Sequence, residues 1–294
     1  MTDTAGARVF RKVPLASGLH LVATPIGAAR DITLRALDVL ASAEVLAAED
    51  TRTLKHLLDL HGVPIEGRTI LAYHDRNGAA QRPRLLGLLA DGRSIAYASD
   101  AGTPLVADPG FQLARAAIAS GHDVHAVPGP SAVLASLTLA GLPTDRFMFA
   151  GFPPPSGAAR ASWLSDVLTV RATLVLFEAP RRVGSLLSAL IELGAGARAA
   201  ALCREITKRF EEVRRGPLES LAESVAADAP RGEIVLVLGP PEKQLATLEE
   251  IDEALQEALK TMRLKDAATE VARKTGGSKR EIYQRALTLK DEPE

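Results

Sequence analysis

"SIAYASDAGTPLVADPG", Ser94–Gly110, is the stretch on which the fold turns. It begins as an apolar, strand-like run. It then opens into an acid (Asp100), two glycines (Gly102, Gly110) and two prolines (Pro104, Pro109). Small residues at such a strand exit expose backbone N–H groups and let a ligand lie close to the main chain. The same pattern occurs five times in the first half of the chain. The other exits are Thr24-Pro25-Ile26-Gly27 after Leu19–Thr24, Glu49-Asp50 after "VLAA", His74-Asp75 after "TILAY", and Pro128-Gly129-Pro130-Ser131 after "DVHAV".

Helical segments separate these strands. Asp31 reads as the N-cap of the first helix, and Leu34, Leu37, Ala41 and Val45 have the spacing of one helical face. A later helix spans Gln112–Ser120, and Gly62 closes "HLLDLHG". Strands alternating with helices predict parallel pairing, and nearly continuous apolar strands predict a sheet covered on both faces. In such sheets ligands bind outside the carboxyl ends of the strands, so five polar or Gly/Pro exits on one edge describe a binding rim.

The second half changes texture. "RFMFAGF" leads into Pro153–Pro155, and "ATLVLFEAP", "ARAAALCREIT", "EEVRRGPL" and "EIVLVLGP" follow. Helices are expected over Arg160–Val167, Arg181–Leu193 and Leu218–Ala226. Some connections are too short for crossovers, which predicts a mixed sheet. From Ala246 the chain reads as helical. "LKDAATEVARKTGGSKREIYQRAL" has helix, turn, helix character, with Ser278 and Glu281 spaced as a capping box. Leu264, Ala268, Val271 and Ala272 are expected to pack against Ile282, Ala286 and Leu287. From Lys260 to Lys290 there are nine Lys/Arg against three Asp/Glu, so this tail fits nucleic-acid contact, a solvated helical tail or a helical hairpin that mediates dimerisation.

Composition narrows the class. Of 294 residues 47% are apolar and 24% charged, ordinary for a globular protein. The aromatic share of 4% argues against base-stacking platforms of the single-strand-binding type. A net charge of −1 requires any polyanion to meet local basic patches. The lone Cys203 reads as a small buried residue on a strand, and no spacing of His and Cys suggests a metal. No apolar run reaches membrane-spanning length. Residues 1–16 read as a loose lead-in, and His20 and Pro25 interrupt its faint likeness to a signal peptide, so a cytoplasmic protein is the expectation. There is no G-x-G-x-x-G, P-loop or G-x-S-x-G, which argues against a dinucleotide fingerprint, a triphosphatase and a hydrolase elbow.

"VATPIGAARDITLRAL", "AAEDTR", "HDRN", "SDAGTPLVADPG", "VPGPSA", "GLPTDRF", "FEAPRR" and "REITKRFEE" occur in this order. On these motifs the chain, over about residues 17–290, resembles the bacterial 16S rRNA (cytidine 2′-O)-methyltransferases, of the tetrapyrrole methylase-like, class III S-adenosylmethionine-dependent fold. The resemblance implies an α/β protein of two α/β domains with a cofactor cleft between them, residues 17–130 and 131–240, plus a small helix-turn-helix-like domain over 246–291. It implies a homodimer, S-adenosylmethionine as cofactor, and 16S rRNA within the small ribosomal subunit as substrate. By the same resemblance Pro25, Ser99, Asp100, Thr103, Ser131, Ala132, Glu178, Ile206 and Gly232 match cofactor positions.

Ribose methylation is an in-line displacement that rests on alignment and desolvation, with a base to take the hydroxyl proton. The rim offers Asp50, Asp75, Asp100, His74 and Glu205, of which Asp50 and Glu205 are the catalytic candidates. Either could instead be paired, Asp50 with Arg52 and Glu205 with Lys208 or Arg204. Phosphates and 2′-hydroxyls could be gripped by Arg52, Arg181, Arg182, Lys208 and Arg209, with Arg214 and Arg215 extending the path. A small-molecule methylase acting on a tetrapyrrole or a diphthine-type precursor is the alternative of the same fold. The helical tail and the "AEDTR" and "FEAPRR" motifs argue against it. A non-enzymatic nucleic-acid-binding regulator is a third reading, and the cofactor rim argues against that one.

Overall fold

The apolar run Gly18–Val22 forms β1, and its exit at Ala23 begins the first of the rim loops. The structure, a computed structural model, describes residues 9–241, 248–275 and 277–291. After β1 come α1 (Leu34–Ser42), β2 (Val45–Ala48), α2 (Thr51–Leu60), β3 (Thr69–Ala72), α3 (Gly78–Ala90), β4 (Ser94–Ala98), α4 (Gly110–Ala119) and β5 (Val124–Val127). They build a sheet of order β3-β2-β4-β1-β5 in which every pairing is parallel, as the alternation requires. β4 lies between β1 and β2, so the exits of β1 and β4 are neighbours. The pair of bonds between Thr24 and Gly102, each N–H donating to the other's carbonyl at 3.0 Å, joins them.

Two local expectations change. Thr33, not Asp31, caps α1: its Oγ1 accepts from the Ala36 N–H at 3.1 Å, while Asp31 falls in the preceding 3-10 turn. Val45 belongs to β2 rather than to the helical face. The lead-in is docked from Phe10 on: Phe10 is buried in one cluster with Leu37 and Leu40, and the Val13 N–H donates to Ser42 Oγ at 2.9 Å. Residues 1–8 lie outside the described residues.

The chain passes to the second sheet through α5 (Ala132–Ala140), a helix for which the sequence analysis has no expectation. Its apolar residues run round the whole cylinder, so no amphipathic period marks it. It packs Val133 and Leu137 on Val175, Ala201 and Val235 of the second sheet. That sheet comprises β6 (Phe147–Gly151), β7 (Thr173–Glu178), β8 (Ala199–Arg204), β9 (Glu212–Pro217) and β10 (Ile234–Leu238), with α6 (Gly157–Leu168), α7 (Pro180–Leu190) and α8 (Leu218–Ala227) packed on it. The order is β6-β7-β10-β8-β9, parallel only at β6/β7, so the sheet is mixed as the short connections require. Cys203 is buried on β8 and its thiol is pushed up to about 11 by burial.

Residues 1–240 form one compact unit and 241–294 another. The second unit holds α9 (Leu248–Leu259), α10 (Leu264–Thr275) and α11 (Lys279–Asp291). Its core joins Leu255 of α9 to Ala268 and Val271 of α10 and to Ile282 and Ala286 of α11, with Leu289 rather than Leu287 completing the contact. α11 starts directly after Ser278; Gly276 of the expected Gly-Gly turn lies outside the described residues.

Candidate active site

The loop after β4 answers the question its sequence raises. Ser99 Oγ donates to the Gly102 carbonyl at 2.6 Å and Thr24 Oγ1 donates to the Ser99 carbonyl at 3.0 Å, which folds the strand exit into a turn. Gly102 takes φ +80°, a left-handed conformation that suits glycine. At the far end Asp108 Oδ1 accepts from Tyr97 Oη at 2.9 Å and from the Gly110 N–H at 2.7 Å, and a Cβ on Gly110 would overlap the Tyr97 ring. Leu105 (φ 71°) and Ala107 (φ 55°) hold left-handed backbone between these anchors. Non-glycine residues keep such strain only where the surroundings over-determine it, as here.

This loop forms one wall of a cleft of about 380 Å³. Ile26, Gly102, Thr103 and Val106 come from the first sheet's exits, Ser131 and Ala132 from the start of α5, and Phe152, Phe177, Glu178, Gly232 and Glu233 from the second sheet. Thus Thr103, Ser131, Ala132, Glu178 and Gly232 of the expected cofactor set line the cleft. Pro25, Ser99, Asp100 and Ile206 are not among its lining residues. Ser99 is occupied in shaping its turn, and Ile206 is buried against Ile26 and Val133.

Glu178 presents no free carboxylate. Its Oε1 accepts from the Ala179 N–H at 2.9 Å and from Arg182 Nε at 2.7 Å, and its Oε2 from Arg160 Nη2 at 3.1 Å. The Glu178 side chain is 0% exposed and that of Arg160 6%. A buried pair of this kind holds shape, and its backbone is what remains for a ligand. Arg160 Nη1 also donates to the Pro154 and Pro155 carbonyls at 3.3 and 3.1 Å, fixing the proline run behind Phe152. The Phe152 and Phe177 rings meet edge-on at 5.5 Å.

The two catalytic candidates are both paired. Asp50 caps α2: its Oδ1 accepts from the Arg52 N–H at 2.8 Å and its Oδ2 from Arg52 Nη2 at 2.6 Å. These bonds hold the Asp50 carboxyl down at about 2. The Asp50 N–H donates to Asp100 Oδ1 at 2.8 Å, which joins the exits of β2 and β4. Glu205 Oε1 accepts from the Glu233 N–H at 2.9 Å and from Lys208 Nζ at 3.1 Å, and its carboxyl is lowered, first by the Glu233 amide. Lys208 Nζ also reaches Glu233 Oε2 at 3.1 Å. A Cβ on Gly232 would overlap the Glu205 carboxyl, so that glycine allows the network to sit against the cleft wall.

Of the expected RNA-gripping residues, Arg181 is exposed, Arg182 is held by Glu178, and Arg52 and Lys208 each carry an acidic partner. Arg214 too carries acidic partners. It is fixed by Glu212 and Asp228 at 2.7 and 2.6 Å, because β9 and the end of α8 bring those acids to it. Arg215 donates to the Leu139 carbonyl at 2.6 Å, tying β9 to α5.

Sequence reading passed over Glu49, one residue past β2. Burial, and then Asp100, Asp108, Asp75 and Asp50 in turn, push its carboxyl up to about 7. Among the described residues it holds no ion pair. The doublet Glu49-Asp50 was visible as an exit; which of the two would stay unpaired depends on the turn that aims Asp50 at Arg52. Phe152 and Phe177 were passed over too, since isolated phenylalanines in strand-like runs read as core.

Among the described residues no cluster of His, Cys, Asp and Glu could hold a metal ion, and no helix is long and apolar enough to cross a membrane. The family model Tetrapyrrole (Corrin/Porphyrin) Methylases matches residues 18–222, and the model RsmI C-terminal HTH domain matches residues 246–290. A relative from Mesorhizobium japonicum, "Ribosomal RNA small subunit methyltransferase I", is 48% identical over 95% of this chain and 94% of its own. One of the same name from Pseudomonas aeruginosa is 42% identical over 92% and 97%. Among solved structures, diphthine synthase superposes with a TM-score of 0.58 at 18% identity, covering 81% of this chain and 94% of that one. Uroporphyrin-III C-methyltransferase from Thermus thermophilus, complexed with S-adenyl homocysteine, gives 0.52 at 22%, covering 76% and 97%. The parallel sheet, its glycine-lined rim and these matches agree: the chain belongs to the tetrapyrrole methylase family.

Proposed function

We propose that this chain transfers a methyl group from S-adenosylmethionine to the ribose 2′-oxygen of a cytidine in 16S rRNA of the small ribosomal subunit. The observation that carries this reading is the near full-length match to relatives named for small-subunit rRNA methylation, on a chain whose rim loops close one cleft. The cleft suits the cofactor. Its walls are largely apolar, it is bordered by main chain at Gly102 and Gly232, and both glycines hold left-handed φ that brings bare backbone to the surface. Thr103, Ser131, Ala132, Gly232 and the Glu178 backbone would hold the cofactor, with Asp100, Ser99, Pro25 and Ile206 fixing the loops that carry them. When bound, S-adenosylmethionine supplies an already activated methyl group.

The chain's own task is to align the hydroxyl, exclude water and take one proton. Asp50 and Glu205 are proposed to act as fixed negative charges at the reacting edge. Their partners make each a weak proton acceptor near neutrality. Glu49, one residue past β2 and set among Asp100, Asp108, Asp75 and Asp50, has its carboxyl pushed up to about 7 and is proposed to take the 2′-hydroxyl proton. Arg52, Arg181, Arg182 and Lys208 are proposed to face the RNA backbone, Arg181 with its guanidinium exposed. We further propose a cytoplasmic homodimer organised as residues 17–130, 131–240 and 246–291.

Methyl-labelled S-adenosylmethionine tests the reading with unmodified small subunits, naked 16S rRNA and a tetrapyrrole. Digestion to nucleosides and mass spectrometry should place label on a cytidine ribose, with subunits preferred. Label on a base, or on the tetrapyrrole alone, overturns the assignment and keeps the cofactor.

A further inference from the structure

The loop from Glu205 to Glu211, between β8 and β9, is built more rigidly than a surface connection needs. Glu205 (φ 50°) and Thr207 (φ 64°) both hold left-handed backbone. The Thr207 N–H donates to Glu211 Oε2 at 2.6 Å, the Lys208 N–H to the Glu205 carbonyl at 2.9 Å and the Glu211 N–H to the Lys208 carbonyl at 3.1 Å. From outside, Thr207 Oγ1 accepts the Ala28 N–H at 3.0 Å, and Lys208 lies so close to Gly27 that a Cβ there would overlap it. The loop is therefore clamped to the exit of β1 on one side and, through Glu205, Lys208 and Glu233, to the cleft wall on the other. Strain of this kind persists where the surroundings impose it, and it gathers at functional positions.

What the clamp displays is Arg209 and Phe210. Phe210 is 60% exposed, and the Arg209 guanidinium lies 5.4 Å from its ring centroid. The charges around them are sorted. Glu205 and Glu233 are held by Lys208, and Glu212 by Arg204 and Arg214. Arg209, Arg30 and Arg231 are exposed and, among the described residues, have no acidic partner. A fixed aromatic face with a guanidinium beside it has the chemistry of a stacking site for an unpaired base and its phosphate. The 4% aromatic share argued against an extended platform; a single positioned ring is invisible to composition.

We propose that Phe210, with Arg209, stacks on an unpaired base of the rRNA and so positions the substrate strand at the cleft. This rests on the rRNA reading above, and the test measures RNA binding apart from methyl transfer. Phe210→Trp is made in a Trp163→Phe background, so that the introduced indole is the chain's one tryptophan. 16S rRNA should quench its emission, because stacking on a base does so, while Trp163 in the parent chain changes little. Phe210→Ala should weaken 16S rRNA binding about tenfold or more. Its affinity for S-adenosylmethionine should be unchanged by calorimetry. Phe210→Tyr should restore RNA binding and Phe210→Leu should not. The proposal is overturned by an unquenched indole, by equal RNA binding in Phe210→Ala, by equal rescue with leucine, or by a wild-type chain that binds no rRNA. It is also overturned if Phe210→Ala changes the sedimenting mass instead, since the ring would then face a second copy of the chain. Binding that stands while methyl appears on a base overturns the ribose assignment alone.

Discussion

The Asp50 main-chain N–H donates to the Asp100 carboxylate at 2.8 Å, so one carboxylate fixes the exit of β2 while sitting in the turn that follows β4. Replacing Asp100 by Ala leaves that N–H without its acceptor, a loss of about 1–3 kcal/mol if water does not replace it. Asp100→Asn keeps an acceptor oxygen and removes the charge. The expected outcome is a lowered melting temperature for Asp100→Ala alone, and a Kd for S-adenosylmethionine raised at least tenfold in Asp100→Ala and less in Asp100→Asn. Calorimetric titration reads the second quantity; an unchanged Kd in Asp100→Ala would detach this turn from the cofactor.

Glu49 gives a pH dependence whose sign is fixed by the direction of its shift. Its folded carboxyl is raised to about 7, above the ordinary carboxylate value. The native chain thus holds a proton that the unfolded chain has already lost between those values. By linkage, this group's contribution to stability falls as pH rises through that window. Glu49→Gln removes the penalty. Its melting temperature relative to wild type should therefore be higher at pH 8 than at pH 5. If Glu49 also takes the substrate proton, kcat of the wild type should rise with an apparent pKa near 7 and that limb should vanish in Glu49→Gln. Loss of the stability effect with retention of the kinetic limb would assign the limb to another group.

Glu178 and the two arginines on it predict a stability loss that looks like a cofactor defect. With Glu178 at 0% exposure and Arg160 at 6%, Glu178→Gln strands a buried guanidinium and should cost about 3 kcal/mol. Because Arg160 also grips Pro154 and Pro155, the Phe152 wall should loosen and the cofactor Kd should rise. Pairing Glu178→Leu with Arg160→Leu should cost less than the sum of the two single changes, because neither charge is then left alone. Chemical denaturation of the four proteins tests this; strictly additive losses would mean the pair is not coupled.

The parallel sheet and its rim were legible because strand exits carry their chemistry locally: "TPIG", "SDAGTP" and "PGPS" each show the break where a strand gives way to a cleft-lining loop. What was not legible depends on distant partners. Nothing near Arg214 announces Asp228, fourteen residues on across α8, and nothing near Glu178 announces Arg160. Asp31 looked like a cap because Asp caps helices, yet Thr33 stands one residue before the first helical position and takes the bond. α5 was missed because it lies against the second sheet with apolar residues on every side, and period is the signal that sequence reading uses.

The C-terminal unit yields the last prediction. Ile282, Ala286 and Leu289 turn one face of α11 into the core, which places Arg280, Gln284 and Thr288, at intervals of four, away from it. Lys279 and Arg280 are exposed at its start, and Lys274 is exposed at the end of α10. Arg285 and Asp252 tie α11 to α9, so this cation belongs to the fold rather than to a partner. We expect Lys279 and Arg280 to meet phosphates. Lys279→Glu with Arg280→Glu should weaken 16S rRNA binding and reduce the slope of log K against log salt by roughly 1–2, because two counterion-releasing contacts are lost. The same change should leave the S-adenosylmethionine Kd as it is, since the cleft lies wholly within residues 1–240. Titration of the full chain with 16S rRNA at several salt concentrations measures the slope. An unaltered slope accompanied by a shift in sedimenting mass would give this face to chain-to-chain contact instead.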